Sequence, residues 1–174
     1  MKSLNTYISE GGFFKNVGAI QVPKSKQELI KLIEDTISTQ GPDCDLNFID
    51  VSNIDDMSDL FYKSNFNGDI SAWDVSKVKN MSFMFGYSPF TGDISKWNVS
   101  NVKLMSCMFA YSEFNGDISD WDVSNVENMN GMFMSSKFEG DISKWDVSGV
   151  KYMNRIFINS KLKKLNKLPE WYKK

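Results

Sequence analysis

The chain contains no histidine and only two cysteines, Cys44 and Cys107, among its 174 residues. Without imidazoles, the usual zinc ligand sets, His-based triads and proton shuttles are excluded. The two cysteines lie in different units of the pattern described below, so we expect both thiols to be free. The sequence therefore predicts no metal and no cofactor.

Long apolar runs and long basic runs are also missing. No segment approaches the length of a membrane span, and the N-terminus lacks the apolar run of a signal peptide. The formal net charge is −2, and the lysines and arginines form no extended patch. We therefore expect no nucleic-acid partner and no membrane span, and a cytoplasmic or virion-associated location rather than Sec export.

What the sequence does have is an uninterrupted repeat of 24 residues. Its most visible members are four tryptophans and, four residues before each, an aspartate in a Gly-Asp-Ile-Ser block. The tryptophans are Trp73, Trp97, Trp121 and Trp145, and the aspartates are Asp69, Asp93, Asp117 and Asp141. A lone unit cannot bury its own Trp, Phe and Met side chains, so the units must stack, with the tryptophans as a structural ladder.

The pattern also defines the ends of the repeat array. A degenerate unit precedes the four full ones, and a two-residue insertion near the C-terminus would place Leu168 and Trp171 on the Ile and Trp positions. The predicted organisation is a leader or anchor segment at residues 1–24, an N-terminal capping helix at 25–41, the repeats at 42–161 and a C-terminal cap at 162–174. Within the capping region, Ser25 and Glu28 form a capping box for a helix at residues 26–39.

The apolar positions within one unit are mostly two or three residues apart, which fits neither a long helix nor a long strand. We expect a repeat solenoid of the α/β class, a leucine-rich-repeat-like right-handed coil with a parallel sheet of one short strand per repeat. In the first full unit, the strand is predicted at residues 69–73 and a short helical or 3₁₀ return at residues 80–85. A parallel β-helix is the alternative.

The repeat FNGDISAWDVSKVKNMSFMF and its three further copies resemble the BspA-like leucine-rich-repeat surface-protein family of bacteria. The resemblance covers about residues 49–160. It implies a solenoid used for attachment to host proteins or to other cells, with no enzymatic activity. Members of that family usually carry a secretion signal or lipid anchor, and similar short repeat proteins are also encoded by bacteriophages.

Three recurring residue types could be read as chemical sites. Stacked aspartates would repel one another unless calcium or hydrogen-bond donors intervene, and we expect each to accept backbone N–H groups in its own turn. The recurring serines lack a base partner and are interpreted as turn hydroxyls; they are Ser76, Ser100, Ser124 and Ser148. The recurring methionines are interpreted as buried packing residues rather than a soft-metal ladder.

Specificity in a repeat protein is expected where its copies differ. On this basis the predicted binding residues, on a variable exposed face, are Tyr62, Tyr87, Tyr111, Lys96 and Lys144, and a second variable series contains Phe83, Cys107, Gly131 and Arg155. The sequence indicates a non-enzymatic module that binds a protein or glycan, possible ligands being a host surface or a virion component. The alternative is a structural or accessory component of a larger assembly such as a phage virion, anchored through Phe13 and Phe14 of the leader.

Overall fold

The computed structural model describes residues 20–172. It begins with the helix α1, Lys26–Gln40, which is capped by Ser25: the Ser25 hydroxyl oxygen accepts the backbone N–H of Glu28 at 3.2 Å. The Glu28 carboxylate in turn accepts the backbone N–H of Lys24 at 2.7 Å. The helix ends at Gly41. The φ of this residue is 90°, a backbone conformation that would be strained for any residue with a side chain. Leu29, Ile33 and Thr36 form its buried face.

Neighbouring repeat units pair in parallel, one unit length apart. Isolated parallel bridges join Asp56 to Asn80, Asn80 to Leu104, Leu104 to Asn128 and Asn128 to Tyr152. Two further parallel bridges lie near the N-terminal end, between Asp45 and Asp69 and between Gln21 and Ile49. Gln21 lies just before α1, so the chain pairs with the degenerate unit before the helix begins.

The predicted helical return at residues 80–85 is wrong. This segment is a run of turns in which every second N–H donates to the following unit: Met81 to Leu104, Phe83 to Ser106 and Phe85 to Met108, at 2.8–3.0 Å. The intervening N–H of Met84 closes a turn onto the Met81 carbonyl. Phe83 and Tyr87 take left-handed φ values of 59° and 56°, which aim alternate N–H groups at the neighbouring unit.

The predicted strand at residues 69–73 is also wrong. Asp69 forms one bridge, and the N–H of Trp73 then donates to the Ile70 carbonyl at 3.1 Å, which closes a tight turn. No continuous strand forms within residues 20–172; the interunit bonds are carried by the turn-rich segments instead. The leucine-rich-repeat-like solenoid itself stays a prediction, and the observed part of it is the parallel pairing of units through isolated bridges.

Columns of equivalent side chains form the core. One phenylalanine column has ring centroids 5.6–5.8 Å apart with nearly parallel planes, and consists of Phe61, Phe85, Phe109, Phe133 and Phe157. A second has centroids 6.0–6.3 Å apart, and consists of Phe66, Phe90, Phe114 and Phe138. The methionines predicted as packing residues, Met57, Met81, Met105 and Met129, have no exposed surface. This dense packing fixes the positions of the surface residues attached to it.

The repeat tryptophans lie in the same core, each 4% exposed. Each indole N–H donates to a backbone carbonyl of the preceding unit, as when Trp97 bonds the Ile70 oxygen at 3.2 Å. A buried indole therefore has its one donor satisfied, which removes the penalty for desolvating it.

The C-terminal end is closed by the short helix α2, Lys161–Lys164, and a 3₁₀ helix, Glu170–Tyr172. Leu162 is buried, while Trp171 and Tyr172 contact the ring of Phe157 with centroids 5.9 and 5.0 Å away. These contacts cover the last phenylalanine of the column. No helix in the part of the chain that the structure describes is long and apolar enough to cross a membrane.

Candidate functional site: an exposed tyrosine patch

Aromatic rings from three consecutive turn segments meet on the surface. The rings of Tyr87 and Tyr111 stack with centroids 4.4 Å apart and an interplanar angle of 9°. Tyr62 packs edge-on against both Tyr87 and Phe83, each at 5.8 Å. We call Tyr62, Phe83, Tyr87 and Tyr111 together with Lys63 the tyrosine patch. Tyr87 is 45% exposed and Tyr111 44% exposed, in contrast to the fully buried phenylalanine columns.

The repeat positions the patch through the backbone. Tyr87 and Tyr111 occupy equivalent positions in consecutive units, and the N–H of Tyr87 donates to the Ala110 carbonyl at 2.8 Å. Gly86 makes room for Tyr62, because a Cβ at Gly86 would lie only 3.1 Å from the Tyr62 ring. The rings are therefore held by hydrogen-bonded main chain rather than by a free loop.

Lysine 63 adds a positive charge to these rings. Its Nζ lies 5.1 Å from the ring centroid of Tyr62 and 5.6 Å from that of Tyr87, within the range of cation–π attraction. Desolvation and the neighbouring Tyr111 hydroxyl raise the pKa of Tyr87. The patch thus combines aromatic faces, phenol hydroxyls and one positive charge.

The aspartate series lies in tight turns. In each case the carboxylate Oδ1 accepts the backbone N–H of the serine two residues later, at 2.8–3.0 Å, for Asp69, Asp93, Asp117 and Asp141. The backbone N–H and hydroxyl of that serine hold the pKa of each carboxyl below its usual range. No group of three or more His, Cys, Asp or Glu side chains within residues 20–172 is arranged to hold a metal ion.

A family model described as "Mycoplasma protein of unknown function, DUF285" matches residues 35–113 and 110–172, which include the patch and the aspartate turns. The chain belongs to this family. The DUF285 match spans the repeat units and the C-terminal closing segment, so the patch is part of the family's repeat region. No curated protein and no solved structure matches the chain.

The structure separates the five predicted binding residues into two groups. Tyr62, Tyr87 and Tyr111 lie together in the tyrosine patch, whereas Lys96 and Lys144 lie outside it, exposed beside aspartates. The charge of Lys96 helps to lower the pKa of Asp93, and that of Lys144 helps to lower the pKa of Asp141.

Phe83 and Lys63 belong with the tyrosines, a grouping that the sequence did not indicate. The sequence pattern places Phe83 in a separate variable series and Lys63 in no site. Their left-handed φ angles are 59° and 56°, and the residues Gly131 and Asn159 at equivalent positions of later units are of types that favour this conformation.

The recurring serines serve the turns. Ser100 and Ser124 donate their hydroxyls to Asn98 and Asp122 at 2.7 and 2.6 Å, respectively. Burial raises the pKa of the Cys44 and Cys107 thiols, and both cysteines are free. A raised thiol pKa lowers the thiolate fraction and with it the reactivity. Phe13 and Phe14, the predicted anchor, lie outside the described residues, so that role stays a prediction.

Proposed function

We propose that this protein is a non-enzymatic binding module that presents the tyrosine patch to a protein or glycan, in the manner of the BspA-like attachment proteins its repeat resembles. The observation that carries the proposal is the exposure of contiguous rings in a chain that buries its phenylalanine columns completely. Tyrosine supplies apolar contact area and a polar hydroxyl while losing little conformational freedom on binding.

Preorganisation supports the same proposal. The Tyr87–Tyr111 stack and the edge contacts of Tyr62 fix the rings before any ligand arrives. Interunit hydrogen bonds such as Tyr111 N–H to the Met134 carbonyl, at 2.8 Å, fix the backbone beneath them. Binding to such a surface costs less ordering of side chains and loops, which favours affinity.

The polar groups favour binding over catalysis. The serine hydroxyls and aspartate carboxylates singled out by the repeat hydrogen-bond inside their own turns. A nucleophile needs a base within hydrogen-bond reach and a position from which to attack a substrate. Groups committed to turns supply rigidity instead, so the proposed activity is recognition alone.

The proposal is tested by binding the full chain to an array of immobilised glycans and purified secreted proteins. The double variant Tyr87→Ala/Tyr111→Ala should lose at least about tenfold in affinity for any ligand found. The matched control, Lys96→Ala/Lys144→Ala, changes two exposed residues beside the aspartates and should bind like the parent. Equal binding by all three proteins, at unchanged melting temperature, would refute the patch as the binding surface.

A further inference from the structure

Tyr87 and Tyr111 form a column of two stacked rings, and the next unit adds no third ring to it. Tyr87 covers one face of Tyr111 at a centroid distance of 4.4 Å. The next position in the same series is Ser135, where a third ring would stand, and the one after it is Asn159. The Ser135 N–H donates to the Ile158 carbonyl, so the main chain continues in register while the ring is replaced by a hydroxymethyl group. No aromatic ring of the described residues therefore covers the outer face of Tyr111, and we call the position beside this face the step.

Met134, Ser135 and Asn159 lie next to the step. The Met134 side chain extends toward Gly131. The Met134 Cε lies 3.9 Å from the position that a Cβ on residue 131 would occupy. Ser135 is half-buried and Asn159 is exposed, so the floor of the step offers a hydroxyl and an amide. A flat aromatic face above small hydrogen-bonding side chains suits a pyranose ring, which has one C–H face and a rim of hydroxyls.

Positive charge surrounds the open side of the column. Lys137 follows Ser135 by two residues, Lys161 follows Asn159 by two residues, and Arg155 belongs to the same turn segment as Asn159. All three side chains are exposed, and none of them forms an ion pair within residues 20–172. The equivalent residue in the unit of Tyr111 itself is the acidic Glu113, and in the unit of Tyr87, on the covered side, it is the uncharged Pro89. The open side of the step is thus complementary to an anion.

We propose that the step between Tyr111 and Ser135 binds an acidic polysaccharide, with one pyranose ring stacked on Tyr111 and its carboxylate or sulfate beside Lys137 and Arg155. This rests on the proposed binding function and specifies its ligand class. A single-stranded nucleic acid would need successive open aromatic faces, whereas this column offers one. Two cavities of about 370 Å³ lie elsewhere, one beside α1 and one beside the C-terminal closing segment.

The substitution Ser135→Tyr tests the step directly. Ser135 has a φ of 55°, matching the 56° of Tyr87 and Tyr111, so a tyrosine fits the backbone there and fills the step. The probe is a hyaluronan hexasaccharide, titrated calorimetrically into the full chain. We expect Ser135→Tyr and Tyr111→Ala each to weaken binding about tenfold or more, although one adds a ring and the other removes one. Retained affinity in Ser135→Tyr, with an unchanged melting temperature, would overturn the proposal.

Charge is tested separately. Lys137→Ala/Arg155→Ala should weaken hyaluronan binding and flatten its dependence on salt, while Lys96→Ala/Lys144→Ala should match the parent. Uncharged maltohexaose should bind at least about tenfold more weakly than hyaluronan. Equal binding of both sugars, no binding of hyaluronan, or preferential binding of a dT12 oligonucleotide would each overturn the proposal. If another ligand from the array still requires Tyr87 and Tyr111, the binding module survives and the acidic-sugar assignment alone fails.

Discussion

The indole N–H of Trp171 donates to the Ile142 carbonyl at 2.9 Å, the bond that Trp145 makes to Ile118 at 3.0 Å. Trp145 lies 27 residues after its acceptor and Trp171 lies 29 residues after its own. The difference is the two-residue insertion before the closing segment. The C-terminal segment thus reuses the tryptophan contact of the repeats, but the indole of Trp171 is only partly buried.

We expect an indole within the repeats to contribute more to the free energy of unfolding than the partly buried indole of Trp171. Trp97 is 4% exposed and has units on both sides, so Trp97→Ala should lower the free energy of unfolding by about 3–5 kcal/mol. Trp171 is only partly buried, and Trp171→Ala should cost clearly less. Urea denaturation of both variants measures this, and equal losses would show that stacking on both sides adds nothing.

Glycines in the repeat give a second comparison. A Cβ on Gly68 would stand 1.9 Å from the Cys44 carbonyl oxygen, so the main chains of adjacent units would have to separate. At the equivalent Gly116 the closest atom belongs to the Phe114 ring, at 2.9 Å, and a ring can shift. Gly116→Ala should therefore cost about 1–3 kcal/mol of stability, and Gly68→Ala should cost more. Thermal and urea unfolding check the order; the reverse order would contradict the backbone clash.

The sequence predicted much of this arrangement and missed its local conformation. The 24-residue register specified which Trp, Phe and Met side chains recur, and those columns are buried because equivalent positions stack. The assignments at residues 69–73 and 80–85 failed because turns, rather than a strand and a helix, carry the interunit bonds. Phe83 and Tyr87 adopt φ angles that residue preferences assign mainly to Gly and Asn, and only Gly131 and Asn159 at the equivalent positions of later units indicate them. The tyrosines were identified as variable, but their stacking depends on these angles.

The turn geometry predicts that the stability of the fold does not depend on a bound metal ion. Each series aspartate, such as Asp93, already accepts the N–H of the serine two residues later, at 2.9 Å for Ser95. We expect EDTA to leave the melting temperature unchanged and added calcium not to raise it, since a ligand that binds only the folded state would stabilise it. Differential scanning calorimetry measures both. A fall of several degrees in EDTA, reversed by calcium, would show that the carboxylates hold an ion.

The same turns predict how stability depends on pH. The backbone N–H and hydroxyl of Ser95 lower the pKa of Asp93, and the equivalent serines lower the pKa of Asp69, Asp117 and Asp141. Because each folded-state pKa lies below the unfolded value of about 3.9, the ionised turns stabilise the fold above about pH 4. That contribution is lost as the pH falls through the folded-state values.

Replacing the four aspartates with asparagine isolates this contribution. Asn98 accepts the Ser100 N–H at 3.2 Å, at a position where other units have an aspartate such as Asp122. An asparagine amide can therefore form this type of turn, and it carries no titratable group. The variant Asp69→Asn/Asp93→Asn/Asp117→Asn/Asp141→Asn should remain folded at neutral pH and lose less stability between pH 5 and about pH 2.5 than the parent. Urea midpoints across that range provide the measurement. Parallel curves for parent and variant would mean that acid unfolding is driven by other carboxylates and that these turns contribute no pH-dependent stability.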